Sequence, residues 1–177
     1  MLKKIGQIVF FILFISIIAL VQFSGIYALP SFFRDFNLIL IALLFVLFFY
    51  DFNSALGVVI IGGFWFDILS FNFFGFYLIS LFLTLIFTEW VLKTWLTNRS
   101  LYSFLLLILL ATLVNNIFVG VFTYFSINSH GLFFVNYTKF GSILINQIIL
   151  GELWALLLFS IASKATRQFQ PFFLDKK

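Results

Sequence analysis

Cysteine is absent from this 177-residue chain, proline occurs twice, and histidine and methionine occur once each. Without cysteine there is no disulfide, no thiolate metal site and no cysteine nucleophile, and a lone histidine, His130, cannot assemble a metal centre. Charge is scarce as well: 9% of residues are charged, against about 25% in ordinary soluble domains. Too few polar residues remain to cover the outside of a water-soluble fold. G-x-S-x-G, H-E-x-x-H, the phosphate loop and the dinucleotide fingerprint are all missing, so the chain reads as a non-enzyme without a cofactor. The formal net charge of +4 comes from basic residues scattered at the ends of apolar runs, with no basic patch of the kind that binds nucleic acid.

What is present is apolar. Hydrophobic residues make up 64% of the chain, mean hydropathy is +1.21, and runs of about 20 apolar residues recur, each long enough to cross a ~30 Å hydrocarbon layer as a helix. The expectation is an all-α integral membrane protein: a single domain over 1–177, folded as a compact bundle of about six transmembrane helices in the lipid bilayer. The helices are expected at about 5–29, 36–50, 54–70, 73–92, 101–125 and 143–163, with a tail at 164–177. Ile5 to Phe23 follows a basic head in the manner of a signal peptide, but QFSGIYALP offers no A-x-A cleavage pattern, so it is read as the first span. Leu29-Pro30 ends that span, and Asn53 or Ser54 is expected to cap the third helix. The 30 phenylalanines match a general compositional bias and point to no function.

Loop charge orients the bundle. With six helices, Lys3, Lys4, Lys93, Arg99, Lys164, Arg167, Lys176 and Lys177 fall on one side, and only Arg34 and Lys139 on the other. Short cytoplasmic loops accumulate Lys and Arg, so both termini are expected to be cytoplasmic.

Several polar groups stand inside or near the apolar runs. Asp67, in GGFWFDILS, lies toward the external end of the third helix, with Gly63 one turn earlier on the same face. A neighbouring backbone is thus expected to pack closely on Gly63, while Asp67 either reaches water or accepts free amides in the first turn of the next helix. Glu152, in ILGELWALL, is near the middle of the sixth helix and needs a polar partner; Asn115 and Asn116, at comparable depth on the fifth, are the expected ones. Asp67 and Glu152 stand at different depths on different helices, which argues against a catalytic acid pair. Glu89 and Lys93 have the spacing of a helix-surface ion pair. Trp65, Trp90, Trp95 and Trp154 suit an interfacial belt.

The segment GFWFDILSFNFFG, with Gly63, Asp67 and then Phe74-Gly75, resembles the bacterial rod shape-determining protein MreD family, in which G-x-x-x-D is followed by a short turn and a glycine that opens the next helix. The Pro30 connection, FNLILIALLFVLFF and the Asp51 to Ser54 turn extend the likeness over roughly residues 30 to 80. The Phe-rich helices and mid-membrane Glu152 depart from the family's pattern. The resemblance implies a multi-pass protein of the bacterial inner membrane that belongs to the cell-shape machinery. It would work there with an MreC-like membrane protein, an MreB-like actin homologue and the synthases of lateral peptidoglycan elongation. Gly63, Asp67, Gly75, Asn115, Asn116 and Glu152 are then candidates for helix packing or a partner interface. The competing class is a substrate-binding subunit similar to the S components of energy-coupling-factor vitamin transporters. It would place a pocket near the 126–142 loop, with Tyr124, Asn128, His130 and Asn136.

Overall fold

The structure, a computed structural model, describes residues 2–26, 30–70, 74–96, 100–130 and 137–169. All regular structure among them is helical: α1 (Leu2–Ser24), α2 (Ser31–Arg34), α3 (Leu38–Phe49), α4 (Phe52–Leu69), α5 (Phe76–Thr94), α6 (Leu101–His130) and α7 (Tyr137–Phe169). Phe52–Leu69, Phe76–Thr94, Leu101–Thr123 and Gly141–Ser160 are long and apolar enough to cross a membrane, while Val9–Ser24 and Leu38–Phe49 are shorter apolar helices. This is the architecture of a helical membrane protein.

The departures from the expected boundaries have local causes. α1 ends at Ser24, not near residue 29, with the Gly25 amide making a last helical bond to the Val21 carbonyl at 2.9 Å; glycine is a poor residue on which to extend a helix. The expected 36–50 helix is present as α3, two residues shorter at its start and one at its end. Asn37 is the N-cap of α3, its Oδ1 accepting the Leu40 amide at 3.0 Å, and the short α2 stands apart before it. Twelve residues give α3 a length of about 18 Å, short of the bilayer core. At the start of α4, Asp51 occupies the N-cap in place of Asn53 or Ser54, and the Ser54 hydroxyl donates to Asp51 Oδ1 at 2.6 Å. α5 starts at Phe76, three residues later than expected, because Gly75 turns the chain with φ of 96°.

The loop expected over 126–142 is helical at both ends, since α6 runs to His130 and α7 begins at Tyr137. Helices outlast their apolar segments because backbone bonding continues wherever propensity allows, in or out of lipid. Asn136, with 131–136, lies outside the described residues, as do Leu29, Phe71, Asn72, Arg99, Lys176 and Lys177 and the side chains of Lys3, Lys4, Tyr124, Asn128, His130, Lys139, Lys164 and Arg167.

α4 sits at the centre and packs on α1, α3 and α5, while α6 joins α5 to α7. Ile15 and Ala19 of α1, Ile39, Leu43 and Leu44 of α3, Val58 and Val59 of α4, Leu85 of α5, Leu107 and Ile108 of α6 and Ala155 of α7 form one continuous core. Phenylalanine fills that core by ring packing. Phe48 meets Phe104 at 4.9 Å between centroids, and Phe66 lies between Phe23 and Tyr77 at 5.1 and 5.3 Å. Such pairs add about 0.5–1.5 kcal/mol each beyond burial. The outer faces of α1 and α7 remain apolar, with Phe10, Leu13, Ile17, Ile149, Leu153 and Leu156 exposed, as lipid contact requires.

Two polar side chains tie α1 into the bundle. Gln22 is buried and bridges α1 to the α2–α3 joint, with Nε2 donating to the Phe36 carbonyl at 2.5 Å and Oε1 accepting the Leu38 amide at 2.7 Å. Trp65 Nε1 donates to Ser16 Oγ at 3.0 Å, linking α4 to α1. Trp65 is thereby half-buried against α1, and Trp154 stacks on Phe36; Trp90 and Trp95 are exposed at the end of α5. Beside them the Glu89–Lys93 pair forms at 2.6 Å.

Candidate functional site: a helix clamp and a polar cavity

α4 and α5 are clamped by three residues of the GFWFDILSFNFFG segment. Gly63 lies so close to α5 that a Cβ there would stand 2.7 Å from Leu78 Cα, a backbone atom that cannot swing away. One turn later Asp67, 3% exposed, turns its carboxylate onto the first turn of α5. The Gly75 amide donates to Oδ2 at 2.9 Å, the Tyr77 amide to Oδ1 at 2.7 Å and the Leu78 amide to Oδ2 at 3.4 Å.

The first amides of a helix have no partner within the helix, and its N-terminus carries partial positive charge. A capping side chain usually answers both needs. Gly75, the N-cap of α5, has none. Asp67 supplies it from the preceding helix, so one carboxylate both satisfies α5 and fixes α4 to it. Gly75 in turn is fixed by its left-handed backbone, which residues with a Cβ adopt at a cost of roughly 1–2 kcal/mol. The close approach expected at Gly63 is present, and of the two alternatives for Asp67 the structure shows amide capping. Gly62 completes the fit on the other side of α4: a Cβ there would stand 2.7 Å from Ile39 Cγ2 of α3.

Asn115 and Asn116, adjacent in sequence, point about 100° apart around α6 and serve opposite neighbours. Asn115 Oδ1 accepts from Ser80 Oγ of α5 at 3.2 Å and from Thr84 Oγ1 at 3.5 Å. Asn116 Nδ2 donates to Gln147 Oε1 of α7 at 2.6 Å and to the Thr112 carbonyl at 2.8 Å. The expected Asn–Glu152 bond does not form. Gln147 takes its place, five residues earlier and about 7.5 Å back along α7. Glu152 sits half-buried on the flank of α7 with no hydrogen-bond partner among the described residues.

The Asn116–Gln147 contact is open to direct measurement. Asn116→Leu, Gln147→Leu and the double variant, unfolded in mild detergent, are expected to give a coupling of about 0.6–2 kcal/mol, the range for interhelical bonds in membrane bundles. Additive losses would mean that the two side chains do not pair.

Near the clamp the same residues border a cavity of about 300 Å³, lined by Gln22, Arg34, Asp35, Phe36, Asn37, Phe66, Tyr77, Asn115, Asn116, Val119, Ile143 and Gln147. Asp35 closes one wall by accepting a bond from Asn146 Nδ2 at 3.0 Å. Sequence reading missed Gln22, Gln147, Arg34, Asp35 and Tyr77 here. The signal for the two glutamines was the rarity of amides within their apolar runs, whereas Arg34, Asp35 and Tyr77 look like ordinary connection residues until the helices converge. Among the described residues, no group of three or more His, Cys, Asp or Glu is placed to hold a metal ion.

Fold and site together define a helical membrane protein with a carboxylate clamp between two spans and a polar cavity beside it. Comparison with protein-family models, with curated proteins and with solved structures finds no match.

Proposed function

We propose that this chain is a non-enzymatic, MreD-like component of the bacterial cell-shape machinery, with six spans in the inner membrane and both termini in the cytoplasm. In this role it holds an MreC-like protein, an MreB-like filament and the elongation synthases in position for lateral peptidoglycan synthesis. The observation that carries the reading is the clamp. The G-x-x-x-D and glycine pattern behind the resemblance forms a rigid joint in which Gly63, Asp67 and Gly75 each have a distinct physical task. A scaffold needs helix ends that keep a fixed spacing, and such a joint provides it. The described chain is almost wholly helix, so helix faces and short connections are what it offers to partners.

The test is affinity capture of the tagged, full-length protein from gently solubilised membranes, together with labelling of each terminus in intact cells. Co-purification of MreC-like and MreB-like proteins is expected, with both termini shielded from an external reagent. Absence of those partners, or labelling of either end from outside, would rule the proposal out.

One observation favours a second reading. A substrate-binding subunit similar to the S components of vitamin transporters requires a polar, aromatic-walled pocket, and the cavity beside Tyr77 and Asn115 is of that kind. Thermal stabilisation by a vitamin would support it.

A further inference from the structure

We propose that the polar cavity bordered by α1, α2, α5, α6 and α7 binds a small zwitterion, a molecule with an anionic oxygen group and an ammonium group close together. Amides inside an apolar bundle are costly unless they are bonded. Most of those near the cavity are. Gln22 is consumed by the α1–α3 joint, and Asn37 Oδ1 caps α3.

Among the described residues Asn115 and Gln147, like Asn37, are bonded through the oxygen only. Each uses its oxygen within the bundle, Asn115 toward Ser80 and Thr84 and Gln147 toward Asn116. The Nδ2 group of Asn115 and the Nε2 group of Gln147 meet no acceptor among the described residues, and both side chains border the cavity. Asn115 is only 5% exposed, so the cavity is where its donors find room. Two unspent amide donors, one on buried Asn115 and one on half-buried Gln147, suit an anionic oxygen.

The same wall carries both signs of charge. Arg34, an exposed residue, has no ion-pair partner among the described residues, and half-buried Asp35 commits Oδ2 to Asn146 while Oδ1 meets no donor among them. A simple anion would be repelled by Asp35 and a simple cation by Arg34. A molecule bearing both charges answers both, its anionic group on Arg34 and the amides, its ammonium on Asp35. At about 300 Å³ the cavity is at the small end of ligand sites, which run from ~300 to 1,000 Å³. That size suits an amino acid or dipeptide, and equally the headgroup of an ammonium-bearing phospholipid.

Thermal unfolding of the full chain in nanodiscs of phosphatidylglycerol, which lacks an ammonium group, separates these sources. In one arm millimolar glycine and glycylglycine are added, with N-acetylglycine and glycinamide as singly charged controls; in the other, phosphatidylethanolamine is built into the disc. A zwitterion about tenfold above its Kd is expected to raise Tm by about 3 °C or more. The rise should vanish in Asp35→Asn and in Arg34→Gln, and the unliganded Tm of Arg34→Gln should match that of the parent. A rise with the free zwitterions supports the site with a soluble ligand, and a rise with phosphatidylethanolamine alone supports it with a lipid one. An equal rise with N-acetylglycine, a rise that survives Arg34→Gln, or no rise in either arm overturns the proposal.

Discussion

Asp67→Leu is expected to lower the stability of the bundle by about 3–5 kcal/mol, because three amides at the start of α5 lose their charged acceptor. Asp67→Asn should cost roughly half as much. Asparagine keeps one acceptor oxygen, but its NH2 group then faces an amide that also donates, so one side of the clamp fails and the other holds. Denaturant titration in mild detergent gives the ranking directly. Under the proposed cell-shape role, the same ranking should appear in cells as loss of partner capture and of rod shape, with leucine worse than asparagine. If both variants behave as the parent does, the carboxylate holds nothing and the clamp is no part of the mechanism.

Gly63 should tolerate almost no side chain. In Gly63→Ala the new methyl group would stand 2.7 Å from Leu78 Cα, and relief requires moving a helix backbone instead of rotating a side chain. Overpacking of this kind costs about 1–3 kcal/mol. Gly63→Leu should exceed that range and separate α4 from α5, pulling Asp67 off its amides at the same time. Gly141→Ala is the matched control. It is also a helical glycine, but a Cβ there meets nothing within 4 Å, so the change should be neutral or stabilising by a few tenths of a kcal/mol. Melting curves of the three variants in one detergent suffice. A Gly63→Ala protein as stable as Gly141→Ala would mean that the helices do not approach as closely as the structure has them.

These two predictions concern the part of the molecule that was most legible beforehand. The four-residue spacing of Gly63 and Asp67 and the turn after them are local facts, and helical periodicity alone places both on one face. The chain's polar glue was only half legible. Asn115 and Asn116 stood out as amides in an apolar run, yet the choice between Glu152 and Gln147 as partner depends on how far α7 slides along α6. A slide of one turn changes no hydrophobic count and so leaves no trace in composition. Glu152 drew attention by its charge, whereas uncharged Gln147 makes the bond.

The sequence by itself determined the class of molecule and offered the clamp as one of two roles for Asp67. Apolar runs with few charges admit only a lipid-embedded helical bundle, and a carboxylate just before a glycine turn has unpaired amides within reach. Tertiary structure alone decided that Gln22 staples α1 to the α2–α3 joint, that α2 stands apart from a short α3, and that Arg34, Asp35, Asn115 and Gln147 border one cavity. The reason is range. Periodicity and capping act over a turn or two of one helix, while a cavity is built from residues more than a hundred positions apart, joined only by the registry of packed helices.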